Sequence, residues 1–219
     1  MIRNTNRILT THTGSLPRPP ELIELVRRRE AGEPVDESLF QSQVRAAVAE
    51  VVTLQQQHGV DMVSDGEAGK PGYATYIKDR VTGYNGEKLM PARVQGEGRD
   101  FPEYTARRAQ TQATIITRPM CTGPITWRDF AAVERDIENL KAATAGVDPG
   151  TVFMTAASPG VISFFLGNAY YKNDDEYLDA LTAVLRREYE AVHRAGFQLQ
   201  LDCPDLAMSR QSQFVDLSL

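Results

Sequence analysis

The chain has 219 residues, 42% hydrophobic and 24% charged, the makeup of an ordinary globular protein of one large domain or two small ones. That excludes a wholly disordered chain, a disulfide-dense mini-protein and, with no uninterrupted apolar run of about 18 residues, a polytopic membrane protein. A net charge of −5 speaks against nucleic-acid binding, which needs a basic face to neutralise phosphates.

Ile8 to Thr13 is a short β-prone run, closed by Gly14-Ser15-Leu16-Pro17-Arg18-Pro19-Pro20. Prolines there forbid a continuing strand and suit a loop leading into a helix at Pro20, with Glu21 to Glu30 as that helix, ending near Gly32. Asp36 is the N-cap of the next helix, where Val44, Ala47, Val48, Val51 and Val52 form one apolar stripe. Gly59 closes that helix, and Val60 to Asp65 is a strand followed by Gly66-Glu67. Residues 83–112 fit neither period and predict an irregular excursion over one face, a lid or a hairpin. Ala113 to Cys121 is β-prone and is broken by Thr122-Gly123-Pro124. A helix follows from Arg128 to about Ala145, then a short strand from Thr151 to Ala156 and the Ser158-Pro159-Gly160 turn. Asn173 and Glu176 make a capping box for a helix whose stripe is Tyr177, Leu178, Leu181, Val184, Leu185 and Val192. Gly196 ends it, and Phe197 to Leu201 is a strand running into Asp202.

Five strands separated by helices predict an α/β fold with a parallel sheet and helical crossovers. A doubly wound sheet and a TIM barrel compete. The first should carry G-x-G-x-x-G after an early strand, and none is present. The second needs eight strands, so about five βα units make a partial (β/α)8 barrel, one domain over residues 1–219 that is incomplete at its C-terminus.

Ligands of parallel α/β folds sit outside the carboxyl ends of the strands. The polar residues placed there are Thr13, Gly14 and Ser15, then Asp65 and Glu67, Arg118, Ser158, and Asp202 with Cys203. Carboxylates beside a Ser-Gly turn match an ammonium group by charge and by accepting its hydrogen bonds. Each has a plainer role as well: Asp65 and Asp202 as loop formers, Gly14 as a permissive turn, Arg118 as an ion-pair partner. His58 and His193 suit helix C-termini, and Trp127 suits packing. His12, Cys121 and Cys203 all fall near strand ends, which leaves a His–Cys–Cys zinc site open. No compact His-x-Cys or Cys-x-x-Cys pair supports it. With no apolar leader in MIRNTNRILT, both thiols are expected to be reduced and the protein cytoplasmic.

In this order, ILTTHTGSLPRP, GVDMVSDGE, TGPIT and LQLDCPDLA resemble the cobalamin-independent methionine synthase family, over nearly the whole chain. The resemblance implies a TIM barrel and zinc-dependent methyl transfer from a methylated folate, or a related donor, to the thiol of homocysteine or a similar thiol. It implies that Thr13-Gly14-Ser15, Glu67 and Asp202 bind the amino-acid substrate and that Arg118 helps bind folate. Thr13 stands where the family has an aliphatic residue, and Cys203 turns Asp-Glu-Pro into Asp-Cys-Pro, so donor and acceptor stay open. The family's zinc ligands, a His-x-Cys pair and a later Cys, are expected beyond Leu219, since this sequence ends 15 residues past Pro204. Zinc matters to the chemistry because a free thiol, with a pKa of about 8.5, is mostly protonated at neutral pH.

Two further readings stand beside the methyltransferase. One is a non-catalytic binding or assembly protein built from a partial barrel. Its open strand edges need a complementing chain or self-association to cover them. The other is a different enzyme using His12, Cys121 and Cys203.

Overall fold

A computed structural model describes residues 6–86, 88, 89, 100–111, 118–211, 214 and 217. The first helix, α1 (Pro20–Glu30), starts on a proline at its N-terminus and ends on Arg27, Arg28 and Arg29, cations where the helix dipole favours them. In α2 (Glu37–Gln57) the Asp36 carboxylate caps the start by accepting from the Leu39 N–H at 3.1 Å. Its predicted stripe is buried, joined by Phe40. Gln55, at the end of that stripe, uses its amide to hold the next strand: Nε2 donates to the Ser64 carbonyl at 2.8 Å and Oε1 accepts from the Ser64 N–H at 3.1 Å.

Beyond it lie α3 (Ile77–Arg80), α4 (Pro102–Thr111), α5 (Ala131–Ala143), β1 (Phe153–Ala157), α6 (Pro159–Phe165), α7 (Asp174–Arg194), β2 (Gln198–Asp202) and α8 (Asp205–Met208). The expected capping box exists in part. Asn173 accepts from the Glu176 N–H at 2.8 Å, while the Glu176 carboxylate reaches back one residue further, to the Lys172 N–H. Ser158 caps α6 through the Val161 N–H at 3.1 Å, a short helix that the periodicity did not announce.

The pairing is parallel throughout the sheet. Thr11 pairs with Met62, Val63 with Val152, and β1 with β2 in the register Phe153 to Gln198 and Ala157 to Asp202. Sequential strands are therefore spatial neighbours, and helices fill the connections, with α2 on α5 and α5 on α7. β1 is buried on both faces, as a central parallel strand should be. β2 is only partly covered, and Leu201 on it is 43% exposed.

Two apolar clusters hold these layers. Val44, Val48, Ile137, Leu140, Val152 and Met154 join α2 and α5 to the strands. Tyr76, Ile77, Cys121, Ile162, Tyr177 and Leu181 form a second cluster, and Trp127 packs against both. No helix among the described residues is long and apolar enough to cross a membrane.

The expected third strand is corrected. Residues 113–117 of it lie outside the described residues, and its described end does not enter the sheet. Val63 lies directly beside Val152 instead. Pro119 pairs antiparallel with Leu89, and Cys121 pairs with Asn168. Four parallel segments, not five, form the sheet among the described residues. A β-prone run reports a preference for extended backbone, not its partner, and the described end of this one pairs with residues 88–89 and 167–168. The expected excursion at 83–112 is also more ordered than predicted at its end, where α4 forms; residues 90–99 lie outside the described residues.

Candidate functional site at the strand carboxyl ends

The parallel register puts the ends of all four segments on one side. Gly66 and Glu67 follow the second segment with φ of 59° each, in the left-handed region. A Cβ on Gly66 would stand 2.9 Å from that of Leu16, so the tight approach of the two loops requires glycine there. Glu67 has no such freedom and carries strain of about 1–3 kcal/mol.

Its surroundings hold it in place. The Asp65 carboxylate accepts from the Glu67 N–H at 3.0 Å. Arg18 spans the turn, donating to the carbonyls of Glu67, Ala68 and Lys70 at 2.7, 3.0 and 2.6 Å. The buried Glu67 carboxylate then accepts from Ser15 Oγ at 2.5 Å and from Thr155 Oγ1 at 3.2 Å. First, second and third segments of the sheet thus meet on one side chain.

Asp202 closes β2 on the same side, half-buried. Burial pushes its carboxyl above the usual range and the charge of Glu67 adds to this. The amide of Gln200, at 2.9 Å, and the charge of Lys70 pull the other way. Burial likewise raises the Tyr73 hydroxyl, and the charges that act on it are Asp202, Arg118, Glu67 and Asp205. Ser158 Oγ donates to Asp205 at 3.1 Å. The Arg118 guanidinium lies 4.8 Å from the centre of the Phe165 ring, which Tyr73 meets edge-on at 5.8 Å.

Of the residues singled out from sequence, Ser15 and Glu67 are joined by a hydrogen bond and Asp202 feels the charge of Glu67, while Arg118 stacks on Phe165. Thr13 is exposed; Gly14 has φ of 88° with open space where a Cβ would be, so its role is the turn. The His12, Cys121 and Cys203 alternative is corrected: among the described residues no group of three His, Cys, Asp or Glu side chains is placed to hold a metal ion. Cys121 is instead packed in the second apolar cluster, its Sγ against the Gly123 carbonyl at 3.2 Å, and burial raises its thiol.

Arg18, Lys70, Tyr73, Thr155 and Asp205 were not found from sequence. Thr155 carried a signal, a lone hydroxyl in an otherwise apolar strand, and Lys70 stands three residues after Glu67. The reach of Arg18 across some fifty positions had none.

A family model described as the catalytic domain of cobalamin-independent synthase matches residues 8–149. The methionine synthase of Saccharolobus solfataricus is 27% identical over 198 residues, covering 90% of this chain and 53% of that protein. That of Sulfurisphaera tokodaii is 28% identical, covering 89% and 51%. Among solved structures, a B12-independent methionine synthase from a Shewanella species, in complex with selenomethionine, superposes with a TM-score of 0.66 at 21% identity, covering 90% and 51%. A putative vitamin-B12-independent methionine synthase from Listeria monocytogenes gives 0.58 at 18%, covering 90% and 53%. These two likenesses speak for the fold. The chain spans about half the length of the curated relatives it matches. With the matched segment covering the first two strand ends and the Ser15–Glu67 pair, the chain belongs to the cobalamin-independent synthase catalytic-domain family.

Proposed function

We propose that this chain carries the amino-acid-binding part of a methyltransferase site of the methionine synthase type, acting on homocysteine or a similar thiol. In this reading residues 1–219 are one domain, and the four parallel segments are the opening arc of a (β/α)8 barrel. The observation that carries it is the hydrogen bond from Ser15 to Glu67 at 2.5 Å, which joins two strand ends on the side where Asp202 ends β2. Glu67 and Asp202 offer carboxylate oxygens to a ligand ammonium group. Ser15 and the Gly14 turn face its carboxylate end, and Arg118 on Phe165 lines the approach of a methylated folate or related donor.

Zinc would supply the thiolate in this family. The described residues of this chain do not fit it; in this reading the role of the residues here is to bind and orient the thiol substrate. The half-covered edge of β2 favours a second reading, a partial barrel that binds and assembles without turnover. It also makes association, with a complementing chain or another copy, the expected state in the cytoplasm.

Calorimetric titration of the chain with methionine and homocysteine tests the proposal. Asp202→Asn should weaken binding at least tenfold, since a charge-assisted hydrogen bond contributes about 1.5–3 kcal/mol. Unchanged affinity in Asp202→Asn would refute the assignment. Amino-acid binding without methyl transfer from a methylated folate would select the second reading.

A further inference from the structure

Thr155 sits in the middle of β1 and has no role in the proposed function. In a parallel ladder the N–H and C=O of one residue point to the same neighbour, and successive residues alternate between the two neighbours. The Phe153 N–H donates to the Val63 carbonyl at 3.0 Å, so the backbone of Thr155 and Ala157 also turns toward the second segment. The Val63–Val152 bridge is isolated, and above it side chains take up this edge of β1. Lys70 Nζ donates to the Thr155 carbonyl at 2.6 Å, the Ala157 N–H to Tyr76 Oη at 3.4 Å, and the Tyr189 hydroxyl to the Ala157 carbonyl at 2.6 Å. The turn that carries Glu67 is closed by the Lys70 N–H on the Glu67 carbonyl at 3.0 Å, and it meets Thr155 twice. Lys70 holds the carbonyl, and the Thr155 hydroxyl donates to Glu67 Oε1 at 3.2 Å. Ser15 Oγ donates to the other oxygen, Oε2, at 2.5 Å. Each carboxylate oxygen thus has one hydroxyl donor, from β1 and from the first loop, and keeps acceptor capacity for a ligand N–H.

We propose that Thr155 is a positioning residue of this site: its hydroxyl, on a residue that Lys70 holds by the carbonyl, fixes the rotation of the Glu67 carboxylate against Ser15. The consequence for a ligand rests on the reading of Glu67 as a partner of the ammonium group. The last torsion of a glutamate side chain has only a broad preference of its own. A donor on one oxygen leaves the group free to swing, and a second donor on the other oxygen removes that freedom. Burial makes the arrangement stricter, since Glu67 is 2% and Thr155 4% exposed and a buried acceptor that loses its donor carries the full cost of desolvation. A carboxylate aimed before the ligand arrives needs no ordering when it binds.

Two variants separate positioning from packing. Thr155→Val keeps the shape and removes the hydroxyl; Thr155→Ser keeps the hydroxyl and removes a buried methyl. In calorimetry on the whole chain, Thr155→Val should weaken methionine about tenfold. Thr155→Ser should restore most of that affinity although its urea midpoint falls below that of the wild type. Affinity losses that follow the urea midpoints in both variants would overturn the proposal. A readout without ligand stands beside this one. The NMR resonance of the Glu67 carboxyl carbon, isotope-labelled and assigned through Glu67→Gln, should shift or broaden in Thr155→Val and return to its wild-type position in Thr155→Ser. A resonance unmoved in Thr155→Val overturns the proposal equally. Should Thr155→Val not fold, Thr155→Ala carries the same expectations. A wild-type chain that binds neither methionine nor homocysteine counts against the ligand reading alone, and the carboxyl resonance then decides whether Thr155 positions Glu67.

Discussion

Arg18→Met removes the guanidinium that fastens the second loop. Three part-buried donations disappear, to the carbonyls of Glu67, Ala68 and Lys70. A hydrogen bond to a charged group contributes about 1.5–3 kcal/mol, but three from one side chain are not additive. A loss of about 3–5 kcal/mol is therefore expected. Part of it returns through Glu67, whose left-handed backbone persists only while its neighbours over-determine it. When the turn relaxes, the Glu67 carboxylate leaves Ser15, so stability falls, and with it the amino-acid affinity proposed above. Urea unfolding followed by circular dichroism measures the first and calorimetry the second. Arg18→Lys should recover only a fraction, because an ammonium cannot reproduce the planar fork that reaches three carbonyls. An Arg18→Met chain with the wild-type urea midpoint and intact affinity would refute the reasoning.

Gly66→Ala should cost about 1–3 kcal/mol, since the new Cβ meets that of Leu16 at 2.9 Å at a φ of 59°; an unchanged melting temperature would count against the tight loop contact. The hydroxyls of Tyr76, Tyr84, Tyr177 and Tyr189 are all pushed up by burial. The folded chain then keeps protons that the unfolded chain sheds above about pH 10, so stability falls as pH rises from there. Tyrosinate absorbance of these four should appear only as the chain unfolds, and smooth titration in the folded state would contradict it.

Local chemistry was legible where it acts over one helix turn. Asp36 and Asn173 as caps, Gly59 and Gly196 as helix ends, and the stripes of α2 and α7 all follow from neighbours within four positions. The strand at 113–121 was not legible in the same way. Its residues prefer extended backbone, but its described end pairs with residues 88–89 and 167–168, and no period in a chain names a partner so far away. Among the candidate residues, the placement of Ser15, Glu67 and Asp202 at strand ends was readable from their positions after or at the close of predicted strands.

From its own order of residues the chain determined an alternation of strands and helices, and hence a parallel α/β sheet with its polar loop residues gathered at one end. Tertiary structure alone decided that Val63 lies against Val152, that Arg18 fastens the Glu67 turn, and that the buried Lys70 ammonium hangs on the Thr155 carbonyl. The physical reason is one of range. Backbone preference and capping are settled by neighbours in the chain, whereas a buried charge takes its partners from whatever the packing brings within a few ångströms.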